Sequence, residues 1–490
     1  MFLLFNKRLL LVIVFLSIAL GIMGIVVIYL KSNDSLSLLS LDQQQSLKQK
    51  SPTLKDPDTT LRIEPVTNGL CSPTSMSFVD NMNLLVLEKN GQIRLISNGV
   101  LQKQPLLRVS VNTTAERGLL GIATLIGNGS SSIDGSSSID SSSSIDGSGV
   151  KMNRNITKVN TTMSETVNKK TAIAKRATNT TDSKVFLYFT ESKPGQALRN
   201  RVYRYDWNVQ NHLLSNPTLL LDLPATPGPY HNGGKLVIGP DHYLYAVIGN
   251  LNTGDGLLQN NKHGKEPDDT SVILRVNPND GSADPNNNPF FSNNDDNISK
   301  KLSKYYAYGI RNSFGITFDP ITGYLWDTEN GEANYDEVNL VKPGFNSGWY
   351  QVMGPISRSN VIDRDFVNFK ESHYADPAFS SYNAIGVTDI EFLKSSKLGE
   401  KYTNNIFVGD INNGNLYYLE VNKTRTGLTF DSNTQPGLSD MVADNKDEIS
   451  EITFGTGFGG ITDIRTGPDG FLYILSYANG SLYRIAPVQQ

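Results

Sequence analysis

The stretch GPDGFLYILSYANGSLYRI, residues 467–485, holds the pattern on which the fold turns. A Gly-Pro-Asp-Gly turn leads into a short apolar run, an Ala-Asn-Gly turn follows, and a second run returns. Apolar residues alternating with period two between turn residues at this spacing predict a β-hairpin. The same grammar recurs in FVDNMNLLVLEKNGQIRLI (78–96), GPDHYLYAVIG (239–249), FDPITGYLWDTENG (318–331) and NIFVGDINNGNLYYLEV (405–421), and once more across 185–205. Units near residues 74–96, 118–205, 236–276, 314–340, 387–421 and 461–485 repeat roughly every 60 residues once a polar insertion is set aside, a propeller-like period. The expected fold is therefore all-β: a six-bladed β-propeller of four-stranded antiparallel blades over 61–487, each blade packing its faces on its neighbours. LRIEPV (61–66) is expected to pair with the last blade and close the circle. Two stacked β-sandwiches are the alternative use of the same strands.

The flanks and the insertion read differently. Residues 9–30 carry no charge and are almost wholly apolar; as a helix they would reach about 33 Å, enough for a hydrocarbon core. Lys7 and Arg8 precede this run, so the positive-inside bias places residue 1 in the cytoplasm and the bulk of the chain outside. No small-residue cleavage site follows, which favours an uncleaved anchor over residues 1–30. The expected address is a single-pass cell-membrane protein whose propeller faces the extracellular side. Sequons at Asn112, Asn155, Asn160, Asn179, Asn297, Asn422 and Asn479 agree with that side. Residues 31–60, rich in Ser, Gln and Lys, read as a flexible stalk. Residues of about 128–183, with tandem SSIDGS-like repeats, lack the apolar surface to repay ordering and read as a disordered loop insertion.

Several functions are excluded early. With 44 basic and 48 acidic residues and a net charge of −4, the chain has no nucleic-acid profile. The lone Cys71 permits neither an internal disulfide nor a Cys/His zinc site, and reads as a half-buried small apolar residue. GTGFGG (455–460) fits the GxGxxG string, but strand and turn follow it where a dinucleotide site needs a helix. There is no P-loop, HExxH or GxSxG motif.

Three places could carry chemistry. His231, in PGPYHNGGKLVIGPD, stands where a strand begins; there it is either a general base for a bound hydroxyl or a loop histidine making a structural hydrogen bond. Arg311 and Asn312, in YYAYGIRNSFGITFDP, precede another strand, where an arginine can hold an anion or developing oxyanion, or bridge two blades. TENGEANYDEVNLV (328–341) gathers Glu329, Glu332, Asp336 and Glu337, which suit a hard cation such as calcium or a solvated acidic loop.

These strings, with ERGLLGIA (116–123), SVILRVNPNDGSADPNNNPF (271–290) and ITDIRTGPDGFLYILS (461–476), resemble the PQQ-dependent soluble glucose and aldose sugar dehydrogenases, the glucose/sorbosone dehydrogenase family, in family order across most of 60–487. The resemblance implies a sugar oxidoreductase with PQQ and calcium and a small sugar as substrate, passing electrons to a membrane or soluble acceptor. It implies His231 as the base, Arg311 as the group polarising the quinone carbonyl with Asn312 beside it, and the backbone carbonyls of Gly331 and Glu332 as calcium ligands. Asn250 falls where the family has the aspartate that orients the base, and Glu116 where the glucose enzyme has a glutamine beside the quinone. The lysine and two arginines that grip the PQQ carboxylates fall at Asn412, Gly460 and Thr462, so the cofactor site is divergent; Lys235, Lys262, Lys265 and Arg465 are the nearby cations that could substitute. A non-catalytic cell-surface propeller binding a glycan or a protein is the alternative reading. A calcium-dependent hydrolase is a third, and needs acidic side chains converging on a metal.

Overall fold

The strand Leu244–Ile248 shows why this sequence stacks sheets. Leu244, Ala246 and Ile248 pack in one apolar cluster with Phe186 and Tyr188, while Tyr245 and Val247 pack in another with Ile316 and Leu325. Alternate side chains point to opposite faces of a strand, and here both faces meet a neighbouring sheet. That is why the strand reads as a nearly unbroken apolar run. Burying each large side chain of this kind is worth roughly 1.5–3 kcal/mol.

The structure is a computed structural model, and it describes residues 51–55, 60–127 and 183–488. The strands of this region form six sheets of largely antiparallel, sequence-consecutive neighbours. The first strands are Pro73–Phe78, Leu119–Leu125, Leu236–Ile238, Ser313–Phe318, Val387–Phe392 and Ile461–Thr466. Each touches the first strand of the next sheet, and Ile461–Thr466 touches Pro73–Phe78, so these strands ring a common centre. Six apolar clusters fill the six gaps between neighbouring sheets. The arrangement is all-β and propeller-like, not a pair of stacked sandwiches.

Several expectations change in detail. Four-stranded units are the rule but not everywhere: the sheet beginning at Pro73 has three full strands, and the two-residue strands Val100–Leu101 and Leu107–Arg108 take its outer place. Other sheets gain short parallel additions, such as Phe345–Asn346 and His373–Tyr374, which cover an edge that would otherwise offer unpaired backbone groups. Leu61–Asn68 pairs with Ser481–Pro487 from Leu61↔Pro487 to Asn68↔Ser481, closing the ring as LRIEPV predicts. The fold begins earlier than residue 61, because Thr53–Leu54 pairs with Thr456 and Gly455. Two short helices, Asn297–Leu302 and Lys446–Glu451, lie in loops. Cys71 is exposed, not half-buried. The expected anchor (1–30), most of the stalk and nearly all of the insertion lie outside the described residues. Among the described residues no helix is long and apolar enough to cross a membrane.

Polar side chains fill the centre of the ring. Lys235 Nζ reaches Asp389 Oδ1 at 2.8 Å and Asp463 Oδ2 at 3.1 Å, on strands of two other sheets. Arg465 pairs with Asp463 at 3.2 Å and approaches Glu391 at 3.8 Å. Asp463 also accepts from Ser75 Oγ at 2.5 Å and Met76 N at 2.9 Å, and Asp389 accepts from Ile464 N. Burial raises both aspartates; Arg465 and Lys235 overcome this for Asp463, which falls below the ordinary range, whereas Asp389 stays above it.

Candidate functional site at the mouth of the ring

The first strand of each sheet starts on the same side of the ring, and the loops that precede these strands converge there. His231, at φ +59°, precedes Leu236–Ile238; Asn250 follows Leu244–Ile248; Arg311 and Asn312 precede Ser313–Phe318; Glu116 precedes Leu119–Leu125. Backbone hydrogen bonds stitch the loops together: Asn250 N donates to Arg311 O at 2.9 Å, and Leu251 N to His231 O at 3.3 Å. The approach is close enough that a side chain at Gly249 would lie 2.6 Å from both the Arg311 and the His231 carbonyl oxygens. Only glycine allows these two loops to meet there.

His231 is oriented by Asn250. Its Nδ1 lies 2.5 Å from Asn250 Oδ1. The Asn250 amide cannot be turned round, because its Oδ1 also accepts from Asn252 N at 3.0 Å and its Nδ2 donates to Thr253 O at 2.5 Å. An acceptor at Nδ1 requires the proton there, which leaves the Nε2 lone pair free. Burial and the Arg311 charge hold the imidazole down at about 4, against the smaller upward pull of Asn250. His231 is therefore neutral at neutral pH and ready to take a proton.

Glu116 ties the loops to one another. One carboxylate oxygen accepts from His231 N at 2.6 Å and from Asn312 Nδ2 at 3.1 Å, and Asn312 Oδ1 accepts from Gly233 N at 3.3 Å. Burial pushes Glu116 above the usual carboxylate range. Arg311 stands beside them. Its backbone N donates to Glu329 Oε1 at 2.6 Å, its Nη1 donates to the carbonyls of Asn330 and Gly331 at 2.9 and 2.8 Å, and its guanidinium lies over the Trp349 ring at 5.2 Å. The buried Nε has no partner. Five residues singled out from the sequence, His231, Asn250, Arg311, Asn312 and Glu116, are thus in one constellation. Glu329, Trp349 and the Thr253 carbonyl complete it; Glu329 carried a sequence signal, within the acidic run, but for a different role.

The acidic run does not face solvent as a whole. Glu329 is held by Arg311 N and by Ser347 Oγ at 2.7 Å. Asp336 accepts from Gly331 N and from three successive backbone donors, Ile385, Gly386 and Val387. Glu337 accepts from Gly354 N at 2.5 Å. These carboxylates pin backbone, and only Glu332 of the four is exposed. Among the described residues no three His, Cys, Asp or Glu side chains are placed to hold a metal. The Gly331 carbonyl, which the resemblance assigns to calcium, is taken by the Arg311 guanidinium. The residues present do not fit calcium.

For a quinone the fit is divided. Arg311, Asn312 and His231 suit a carbonyl end. A tricarboxylate such as PQQ needs cations at its other end, each worth roughly 1.5–3 kcal/mol as a charge-assisted bond. Asn412 packs against Gly386, a side chain at Gly460 (φ +81°) would meet the Ile411 carbonyl at 2.9 Å, and Thr462 Oγ1 donates to Pro73 O at 2.9 Å. Of the substitutes, Lys235 and Arg465 are spent on the central aspartates, Lys265 pairs with Asp255 at 2.7 Å, and Lys262 donates to the Arg364 carbonyl.

Residues 146–484 match the family model described as Glucose / Sorbosone dehydrogenase. An uncharacterized protein of Synechocystis, slr1608, is 25% identical over 436 residues, covering 87% of this chain and 86% of its own. The aldose sugar dehydrogenase YliI of Escherichia coli is 25% identical over 272 residues, 55% of this chain and 64% of that protein. Among solved structures, the PQQ-bound form of the aldose sugar dehydrogenase from Streptomyces coelicolor superposes with a TM-score of 0.54 at 20% identity, covering 88% of this chain and 100% of that one. At that identity the likeness is one of fold.

Proposed function

This chain belongs to the glucose/sorbosone dehydrogenase family, and from that premise we propose that it is a sugar dehydrogenase acting on an aldose hydroxyl at the mouth of the ring, with the six sheets serving as the six blades of the propeller. The observation that carries the reading is the His231–Asn250 pair set beside Arg311. His231 Nε2 takes the proton of the sugar hydroxyl while the carbon that bears it gives up hydride. Asn250 keeps the imidazole in the tautomer that can do this, and as a neutral amide it gives the imidazolium formed a hydrogen bond but no compensating charge. Arg311, desolvated and fixed by two carbonyls, stabilises negative charge that develops on an oxygen in the same pocket. When bound, a quinone of the PQQ kind supplies the two-electron acceptor, and Glu116, Arg311 and Asn312 are the residues that would face it. Such a quinone would in turn hand its electrons to a membrane or soluble acceptor. We also propose an outward-facing, membrane-anchored placement, on the strength of residues 7–30.

The test uses the full chain with PQQ, an aldose and a redox dye. The expected result is PQQ-dependent, sugar-dependent dye reduction. Saturating PQQ that changes neither the absorbance nor the thermal melt defeats the reading. The engagement of Lys235, Lys262, Lys265 and Arg465 elsewhere favours one second reading, a non-catalytic mouth that binds a glycan or a protein at the cell surface; binding without turnover in the same preparation is its signature.

A further inference from the structure

Of the sequons that agree with an outward placement, four lie within the described residues: Asn112, Asn297, Asn422 and Asn479. Attachment of a glycan asks two things of such a site. The amide Nδ2 must be free to form a new bond, and the Ser or Thr two positions on must lie beside the same amide, because the two are read together.

Two of the four are closed. At Asn479 both amide hydrogens are spent, since Nδ2 donates to Phe458 O at 3.0 Å and to Tyr483 Oη at 3.4 Å. The side chain also lies against Gly459, where an added Cβ would come within 2.7–2.8 Å of it, and the hydroxyl residue Ser481 is buried. A glycan on that nitrogen would have to displace at least one of these contacts. Asn297 is exposed, but it opens the helix Asn297–Leu302. There Asp296 holds both the backbone N and the hydroxyl of Ser299, at 2.9 and 2.7 Å. Helix positions two apart do not face each other, so the Asn297 amide and the Ser299 hydroxyl are kept apart.

The other two are open. Asn112 Oδ1 accepts from Thr114 N at 3.1 Å. Asn422 Oδ1 accepts from the Thr424 hydroxyl at 3.0 Å and from Thr426 N at 3.1 Å. In each, a side-chain turn folds the threonine back onto the asparagine. The amide oxygen is engaged, while Nδ2 has no partner among the described residues. Thr113, Thr114, Lys423 and Thr424 around them are exposed. Asn112 stands in the loop leading to Glu116, on the mouth side. Asn422 follows Leu416–Val421, the third strand of its sheet, and so lies on the far side.

We propose that Asn112 and Asn422 carry N-linked glycans in the folded protein and that Asn297 and Asn479 carry none. The donor class is an oligosaccharide on a polyprenyl phosphate carrier, presented by a membrane transferase. Nδ2 bonds to the anomeric carbon of the donor, the bond from that carbon to the phosphate oxygen breaks, the phosphate leaves with the electron pair, and Nδ2 gives up one proton. This rests on the outward-facing placement proposed above and goes beyond it.

The test takes the full chain from the cells that make it naturally and reads each sequon by glycopeptide mass spectrometry. Intact cells are treated in parallel with a membrane-impermeant amine reagent, which locates the propeller. Glycan-bearing peptides are expected at Asn112 and Asn422 and bare peptides at Asn297 and Asn479. Asn112→Gln and Asn422→Gln are each expected to lower the intact mass by one glycan. Bare Asn112 and Asn422 on a propeller that the reagent labels overturn the sites and leave the placement standing. A glycan on Asn479 overturns the selection by the folded amide. A propeller that the reagent does not label overturns the placement, and the sites with it.

Discussion

The mouth and the centre of the ring hold similar residues, set to opposite ends. At the centre, Lys235 and Arg465 meet Asp389, Asp463 and Glu391, so each charge finds its counter-charge inside the protein. At the mouth, Arg311 is held by neutral carbonyls, its Nε stays unpartnered, and the His231 Nε2 lone pair is free. Lys235 and His231 lie in the same loop-to-strand segment, yet one is spent on the fold and the other is kept for a ligand. A charged residue near a site in sequence therefore serves that site only if nothing closer has claimed it. The central network ties three sheets together, and breaking a buried pair on one side leaves a costly lone charge.

The largest effect should separate the two regions by what each variant changes. His231→Ala is expected to cut kcat/KM for sugar about 10²–10⁴-fold, the usual contribution of a general base, while the thermal melt moves little; a large fall in melting temperature would erase the distinction. Lys235→Met should do the reverse. Removing the cation between Asp389 and Asp463 is expected to cost about 3–5 kcal/mol of stability, read from denaturant unfolding. Asn250→Asp sharpens the mouth alone. A carboxylate beside the imidazole favours its charged form, so the His231 value should rise by about one unit or more. Because the base works only when neutral, the acidic limb of the kcat/KM profile should move to higher pH by the same amount; an unmoved limb would mean that His231 is not the titrating base. The smallest effect is expected from chelation. With Arg311 already on the Gly331 carbonyl, EGTA should leave the melting temperature where it is, and a clear drop would restore a calcium site there.

Much of the fold was legible because it is local and repeated. Leu244–Ile248 alternates between two clusters, and the turn residues at its ends show where it stops. The site was legible for a related reason: His231, Asn250, Arg311 and Glu116 all sit where strands begin or end on one side of the ring, and a closed ring brings such positions together. What the sequence concealed depends on partners far along the chain. Lys235 and Arg465 read as spare cations because Asp389 and Asp463 meet them only across the centre. Asp336 read as a calcium ligand because the three backbone donors at 385–387 come from a loop and strand start far along the chain. Thr53–Leu54 escaped notice because two residues are too few to show a period.

The pairing of Leu61–Asn68 with Ser481–Pro487 also bears on biosynthesis. The strand that completes the last sheet leaves the ribosome before any of the six sheets is whole, and its partner is made at the far end of the chain. The paired residues Glu64 and Arg484 lie 420 residues apart, and loop-closure entropy on that scale makes the final pairing a slow event. Until then Leu61–Asn68 lacks the strand it pairs with, a reason for the nascent chain to depend on chaperones until Ser481–Pro487 arrives.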